Sequence, residues 1–491
     1  GRSPSEGSEG GLPGTTFTLT VDQDILTGTA DNDIFSAPAV NPLGLGFVQT
    51  LQSLDELDGA GGTDRLNATL IGDNVGPIIS NIEQFYLQSR DNASAVNMAN
   101  VTGVQQVWNS ESTNSLTVDN LQNEVVLGLS NVTGTAATTF TAAYAAGSPT
   151  VQNVVAAGAG SATNAVTLNV TGTNITGLAI NAAGGAANNL FAAGDLDDIP
   201  NLSLTGGAPL GLDAGNDLSS LVTLAAGDYT GGLDINISGS GAVESVVTGS
   251  GDDRVVMQAG YFVAGGTVAV DLGAGSNTLA LDNNDVLLNP AEMSSLVFTD
   301  AAVSVSGVST LEFVDGGSWG LFNNQEATLD LAGLDGLDTI RFAESVDFFA
   351  DNGNGITLAN APEALTIDFV QSGVYIDLDV GDVQTLTMTA GNTLGFNSGL
   401  LEGAALRSAT LSAGDSVLLN INGNVASLQS LTVEAPSANL AIADAPALAS
   451  LDLSGVTDSM SVNLTGANLA GALTIDLGTA AGVLSADGAL A

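Results

Sequence analysis

Six short stretches set glycines and Asp or Asn directly before an apolar residue. The fullest is Asp58-Gly59-Ala60-Gly61-Gly62-Thr63-Asp64-Arg65-Leu66. Gly249-Ser250-Gly251-Asp252-Asp253-Arg254-Val255 and Asp271-Leu272-Gly273-Ala274-Gly275-Ser276-Asn277-Thr278-Leu279 follow the same plan. Looser versions are Gly28-Thr29-Ala30-Asp31-Asn32-Asp33-Ile34-Phe35, Asp213-Ala214-Gly215-Asn216-Asp217-Leu218 and Gly333-Leu334-Asp335-Gly336-Leu337-Asp338-Thr339-Ile340. Glycine lets the backbone turn tightly and aim carbonyl oxygens inward, while each carboxylate supplies charge. Roughly six to eight hard oxygens at ~2.4 Å suit Ca²⁺ better than a transition metal. The candidate ligands are Asp31, Asp33, Asp58 and Asp64 first, with Gly59 and Gly61 shaping the loop, then Asp252, Asp253, Asp271, Asn277, Asp335 and Asp338. Taken singly, each stretch also reads as a plain Asx/Gly turn with no metal.

Turns of this kind need short, regular elements between them. The chain supplies these as five- to six-residue alternations, such as Thr16 to Val21, Val166 to Val170, Leu233 to Ile237, Val374 to Leu378 and Leu473 to Leu477. Period-two alternation bounded by Gly, Asn or Asp predicts half-buried strands. In the last third similar segments begin at Thr385, Ser408, Ser430, Ser450 and Ala472, with further strands near half-steps at Asn439 to Ala443 and Ser461 to Thr465. Asn81 to Phe85 and Gly103 to Val107 repeat the same spacing earlier. The expectation is an all-β, β-solenoid-like stack with about 22 residues, two strands and two turns per coil. An ordinary β-sandwich is the plainer alternative. Asn92 to Val101 and Gly184 to Asp195 have room for a helical turn or two. Residues 1–14, rich in Gly, Ser, Glu and Pro, read as a flexible arm; 15–295 as a β-rich region with the acidic turns; 296–491 as the repeat region. Phe17, Phe35, Phe47, Phe85 and Tyr86 read as core fillers, and Trp108 and Trp319 as packing residues.

Composition then removes whole classes of function. Among 491 residues there are 53 acids and 6 bases, a formal charge of −47, and every base is an arginine. Six scattered arginines build no phosphate-binding face, so a nucleic-acid partner is not expected. With no His and no Cys there is no imidazole base, thiolate, His/Cys zinc site or disulfide. Hydrophobic residues nevertheless reach 44%, enough for a long core. No uninterrupted apolar run spans a bilayer, and the opening Gly1-Arg2-Ser3-Pro4-Ser5, with no initiator Met, suggests that the native start is missing.

The acidic turns resemble the Gly-Gly-x-Gly-x-Asp-x-apolar nonapeptides of RTX-type secreted proteins. Leu54 to Leu66 is similar to a segment of calcium-dependent bacterial surface-layer proteins, and Thr16 to Phe35 and Ile79 to Asn109 resemble their opening strands and strand-repeat body. The sequence departs from the RTX pattern in three ways: the turns stand alone, Ala60 replaces a glycine, and Asn277 stands where the motif has Asp. The resemblance implies an extracellular, bacterial cell-surface protein of a Gram-negative organism that folds or assembles in millimolar calcium. The expected function is a secreted structural protein that self-assembles into a Ca²⁺-dependent surface layer or filament. Its partners would be copies of itself and lipopolysaccharide or another cell-surface glycan. The charge agrees, since divalent bridging between carboxylates would let strongly anionic copies approach. The alternatives are a calcium-rigidified adhesin and, further off, an extracellular polysaccharide-degrading enzyme using carboxylates such as Asp197 and Asp198, Asp55 and Glu56, or Asp377 and Asp379. Few Trp and Tyr and no cluster of arginines argue against catalysis, so no enzyme activity is expected.

Overall fold

The computed structural model describes residues 13–42, 44–132, 138–161, 163–212, 218–282, 293–314, 326–343, 355–370, 374–375, 377–396, 401–422 and 425–486. Residues 1–12 of the expected arm, the turn at 213–217 and Trp319 lie outside them. The fold is all-β, with 52% strand and 1% helix, and it is a parallel β-solenoid of about 16 turns at ~23 residues per turn. Contacts divide it into two compact units, Gly1–Asp253 and Arg254–Ala491. No helix among the described residues is long and apolar enough to cross a membrane.

In the first unit one sheet runs from Pro13–Thr18 through Asn32–Ala37, Arg65–Leu70, Gln84–Ser89, Gln106–Ser110 and Val126–Val132 to later strands, every neighbour parallel. A second sheet begins Asn74–Val75, Ser94–Asn97, Leu116–Leu121, Thr138–Tyr144. A short third row is Ile25–Thr27, Glu56–Asp58, Ile78–Ser80, Val101–Thr102. Alternation places every second side chain inside, and parallel register stacks like on like. Phe35, Leu66, Phe85, Val107, Leu127 and Val154 form one continuous buried ladder. Each such side chain contributes about 1.5–3 kcal/mol by leaving water, which a single coil has no inner partner to provide.

The second unit repeats the scheme. Arg254–Gln258, Thr278–Asp282, Thr310–Val314, Thr339–Phe342, Ala364–Phe369, Thr385–Ala390, Ser408–Ala413, Ser430–Glu434, Ser450–Asp452 and Thr474–Asp476 form one parallel sheet. Inside it Phe313 stacks on Phe342 at 5.1 Å and Phe342 on Phe369 at 4.9 Å.

Coil corners share one device. An Asp or Asn ending a strand accepts the backbone N–H two residues on, as Asp330 does from Ala332, Asp379 from Gly381, Asp452 from Ser454 and Asn463 from Thr465. The next residue then closes a turn with its carbonyl, as in Leu334 N to Leu331 O and Val456 N to Leu453 O. Both turn ends are buried apolar residues, so the corner is pinned to the core by its own two ends.

Several expectations change. The last repeat pairs Ser450 with Thr474, not Ala472; a slip of two keeps the same side chains inside, so the pattern alone does not exclude it. Coils between 364 and 402 carry three strands, Thr385–Ala390, Thr393–Gly395 and Leu401–Glu402 making one of them, not two. The segments with room for helical turns hold strands Ser94–Asn97 and Asn188–Gly194. Phe35 and Phe85 are core, but Phe47 lies outside beneath the Arg90 guanidinium at 4.3 Å, and Tyr86 has the outward parity of its strand. Tyr86 is sandwiched between Arg65, 3.7 Å from its ring, and Trp108, stacked at 5.4 Å.

Candidate metal centre

The two acidic turns nearest the start lie on successive coils, and the fold brings their carboxylates together. Asp33 is 1% exposed. Its carboxylate accepts the backbone N–H of Thr15 at 2.6 Å and of Thr29 at 2.5 Å. The Asp33 N–H donates to Asp64 Oδ1 at 2.7 Å, and the Asp64 N–H donates to Glu83 Oε2 at 2.7 Å. Side chain thus follows main chain through three coils, each carboxylate holding the amide of the coil before it. Asp58 bounds the corner from the third row, accepting from Ala60 N at 3.0 Å and Asn81 Nδ2 at 2.8 Å. Those donors hold its carboxyl below the usual range.

Glycine is required here by space. A Cβ on Gly28 would lie 2.5 Å from Gly59 O and 2.6 Å from Asp33 Oδ2, and one on Gly59 would collide with Asn81 O and Asp64 Oδ2. Gly61 has no such constraint, its nearest neighbour being Ala30 Cα at 3.9 Å. Ala60 takes the left-handed conformation, φ +66°, that the replaced glycine would adopt freely.

Asp64 is the unusual group. It is 0% exposed, and its Oδ2 has no hydrogen-bond partner. Burial, then the neighbouring Glu83, Asp33 and Asp58 charges, push its carboxyl up to about 6 against the pull of the Asp33 amide. A buried carboxylate oxygen with no donor is costly unless a proton or cation meets it. The donors present, carboxylates and backbone carbonyls, are all hard oxygens, which fits Ca²⁺ in kind. Among the described residues, however, no three acidic side chains converge on a single metal-sized point. Asp64 Oδ2 is thus the buried carboxylate oxygen of this corner with no hydrogen-bond partner; both Asp33 oxygens accept amide N–H groups, and Asp31, half-buried, donates its N–H to Thr29 Oγ1.

The remaining candidates lie on other coils. Asp253, 1% exposed, accepts the Leu233 N–H at 3.0 Å, and burial pushes its carboxyl up; Asp252 is its neighbour in the chain. Asp271 caps its turn through Gly273 N and accepts from Ser306 Oγ at 2.9 Å. Asn277, fully buried, donates its amide to Leu272 O at 2.7 Å and Gly307 O at 3.0 Å, a bridge between coils that an Asp has no hydrogens to make. Asp335 and Asp338 are exposed, the latter accepting from Thr339 Oγ1.

Two participants are absent from the motif reading. Glu83 belongs to no glycine turn; its position follows only from the pairing of Arg65–Leu70 with Gln84–Ser89. Asp55, fully buried, holds the amides of Asp24 and Gln52 in the same fashion. The sequence signal for both is an acid just before a strand that begins one coil on. A comparison with protein-family models gives no match, and a comparison with curated proteins gives none either.

Proposed function

We propose that the protein is a secreted structural protein of the bacterial cell surface that assembles with its own copies into a Ca²⁺-dependent layer or filament. The observation that carries this reading is the stapled corner at Asp33, Asp64 and Glu83, with Asp64 Oδ2 buried and unpartnered, in a chain of net charge −47. A divalent cation beside Asp64 would meet the orphaned oxygen and offset charge on Glu83 and Asp58. Further cations between exposed carboxylates would lower the repulsion between copies. The first coils also expose apolar side chains suited to such contacts. Ile25 and Ile78 flank Glu56 on one outward row, each about half or more exposed, and Leu45, Phe47 and Val48 project from the hairpin Ala39–Val40/Val48–Gln49. A surface glycan is the second partner.

The test is light scattering and negative-stain imaging of the purified chain across a calcium titration, with EDTA reversal. Ordered assemblies above millimolar calcium, lost on chelation, are expected. A monodisperse monomer at every calcium concentration, with unchanged hydrogen exchange around Asp64, would overturn the reading.

A further inference from the structure

Among the described arginines, Arg407 alone has a side chain that makes no ion pair, hydrogen bond or ring contact. Arg65 and Arg90 lie over Tyr86 and Phe47, Arg254 pairs with Glu312 at 2.9 Å, and Arg341 pairs with Asp368 at 3.3 Å. Leaving one cation unpaired in so acidic a chain calls for a reason, and its surroundings supply one. Arg407 lines a groove of about 460 Å³ together with Gln384, Gln429 and Ser427 over a floor of alanines.

The turn-closing backbone bond of the corners described above recurs along this groove, here without their carboxylate cap. Successive turns close through Leu406 N to Gly403 O, Leu428 N to Val425 O and Leu448 N to Ala445 O. Their buried ends hold the turns against the core, and the two residues between are small, Ala404-Ala405, Ala426-Ser427 and Pro446-Ala447, so the surface sinks. Gln384, Arg407 and Gln429 follow the turns in register, linked through the main chain by Arg407 N to Gln384 O and Gln429 N to Arg407 O. They stand one strand spacing apart, about 4.8 Å. Beside them runs a hydroxyl row, Thr385, Ser408 and Ser430, with Ser430 Oγ donating to Ser408 Oγ at 2.9 Å.

We infer that this groove binds a carboxylate-bearing saccharide, a uronic-acid glycan, with the carboxylate on Arg407 and ring hydroxyls on the flanking amides and hydroxyls. The guanidinium fork matches a carboxylate in two hydrogen bonds. Gln384 and Gln429 each offer both a donor and an acceptor, as sugar hydroxyls require. The volume falls within the ordinary range for a small-molecule site. An acidic peptide fits less well: the backbone on either side is already paired within the sheet, leaving no edge to extend, and the alanine floor has no pocket for side chains. Asp382, in the equivalent turn one coil earlier, and the exposed Glu363 make one end of the groove anionic. The ligand's carboxylate therefore lies toward the Ala447 end. This proposal is independent of cation binding at Asp64.

The experiment is calorimetric titration of the full chain in EDTA buffer with a uronic-acid tetrasaccharide, its methyl ester, and a glutamate tetrapeptide. Binding of the free acid is expected, with the ester, the peptide and the Arg407→Gln variant each weaker by about tenfold or more. Ala426→Phe, which fills the groove and keeps the charge, should also abolish binding, while Arg90→Gln should leave it intact. No binding by the wild type, equal binding by Arg407→Gln, or preference for the peptide would overturn the assignment. Because calcium is absent throughout, failure here leaves the assembly reading to its own test.

Discussion

The two units run the same solenoid on different interiors. Of eighteen buried polar or charged residues among those described, sixteen lie in Gly1–Asp253 and only Asn277 and Glu312 in Arg254–Ala491. The first unit spends Asp33, Asp55, Asp64 and Asp253 on holding amides of neighbouring coils. The second repeats the capped turn with apolar ends and stacks Phe313, Phe342 and Phe369 behind it. Parallel register is thus reached by two routes: by directional hydrogen bonds from backbone amides to carboxylates that burial disfavours as anions, or by apolar shape that ignores pH.

Breaking the apolar route should cost most. Phe342→Ala, which opens the centre of the aromatic stack, is expected to destabilise the second unit by about 3–5 kcal/mol, measured by denaturant unfolding. Asn277→Asp comes next. Losing two buried amide donors and facing two carbonyls with a carboxylate should cost about 2–3 kcal/mol, even though it restores the acid of the glycine-turn motif; a variant stabilised by calcium beyond the wild type would show that turn to be a cation site instead.

The polar route has a pH sign. A carboxyl whose value is raised on folding favours the folded state fully below its unfolded value near 3.8, and that contribution is lost as pH rises through the folded value. For Asp64 the loss spans the interval up to about 6, and Asp55 and Asp253 shift in the same direction. In calcium-free buffer, hydrogen-exchange protection factors in the first unit, taken relative to the intrinsic rate at each pH, should therefore be higher at pH 5 than at pH 8, with Asp64→Asn flattening the dependence. In the second unit the shifted groups Asp300 and Asp452 are exposed and held low, which predicts the opposite, smaller trend. Asn109 offers a milder probe, since it is fully buried between Leu87 and Leu129 with neither amide atom paired. Asn109→Leu should stabilise by about 1–2 kcal/mol in thermal unfolding. The smallest effect is Ala60→Gly, which relieves a left-handed alanine and should gain about 1 kcal/mol or less at the same readout.

The coil period and the strands were readable because both are local: alternation shows parity, and Phe85 and Val107, one period apart, do pair. Tyr86, expected in the core, has the outward parity of its strand, since Phe85 and Leu87 point in. What stayed illegible was which carboxylate meets which amide. Asp33 finds Asp64 across 31 residues, whereas Asp64 finds Glu83 across 19. That inequality comes from the hairpin between Ala39 and Gln49, which lengthens one coil without disturbing the ladder inside it. The acidic turns announce themselves as turns; their bonding partners belong to neighbouring coils, and no single motif encodes those.

The same hairpin carries a practical consequence. Because the ladder from Phe35 to Leu66 closes beneath it unperturbed, the stack should accept foreign sequence at that point as a display site. A peptide tag spliced between Val40 and Val48 would ride on the outside of the molecule, leaving the buried rungs to find one another as before.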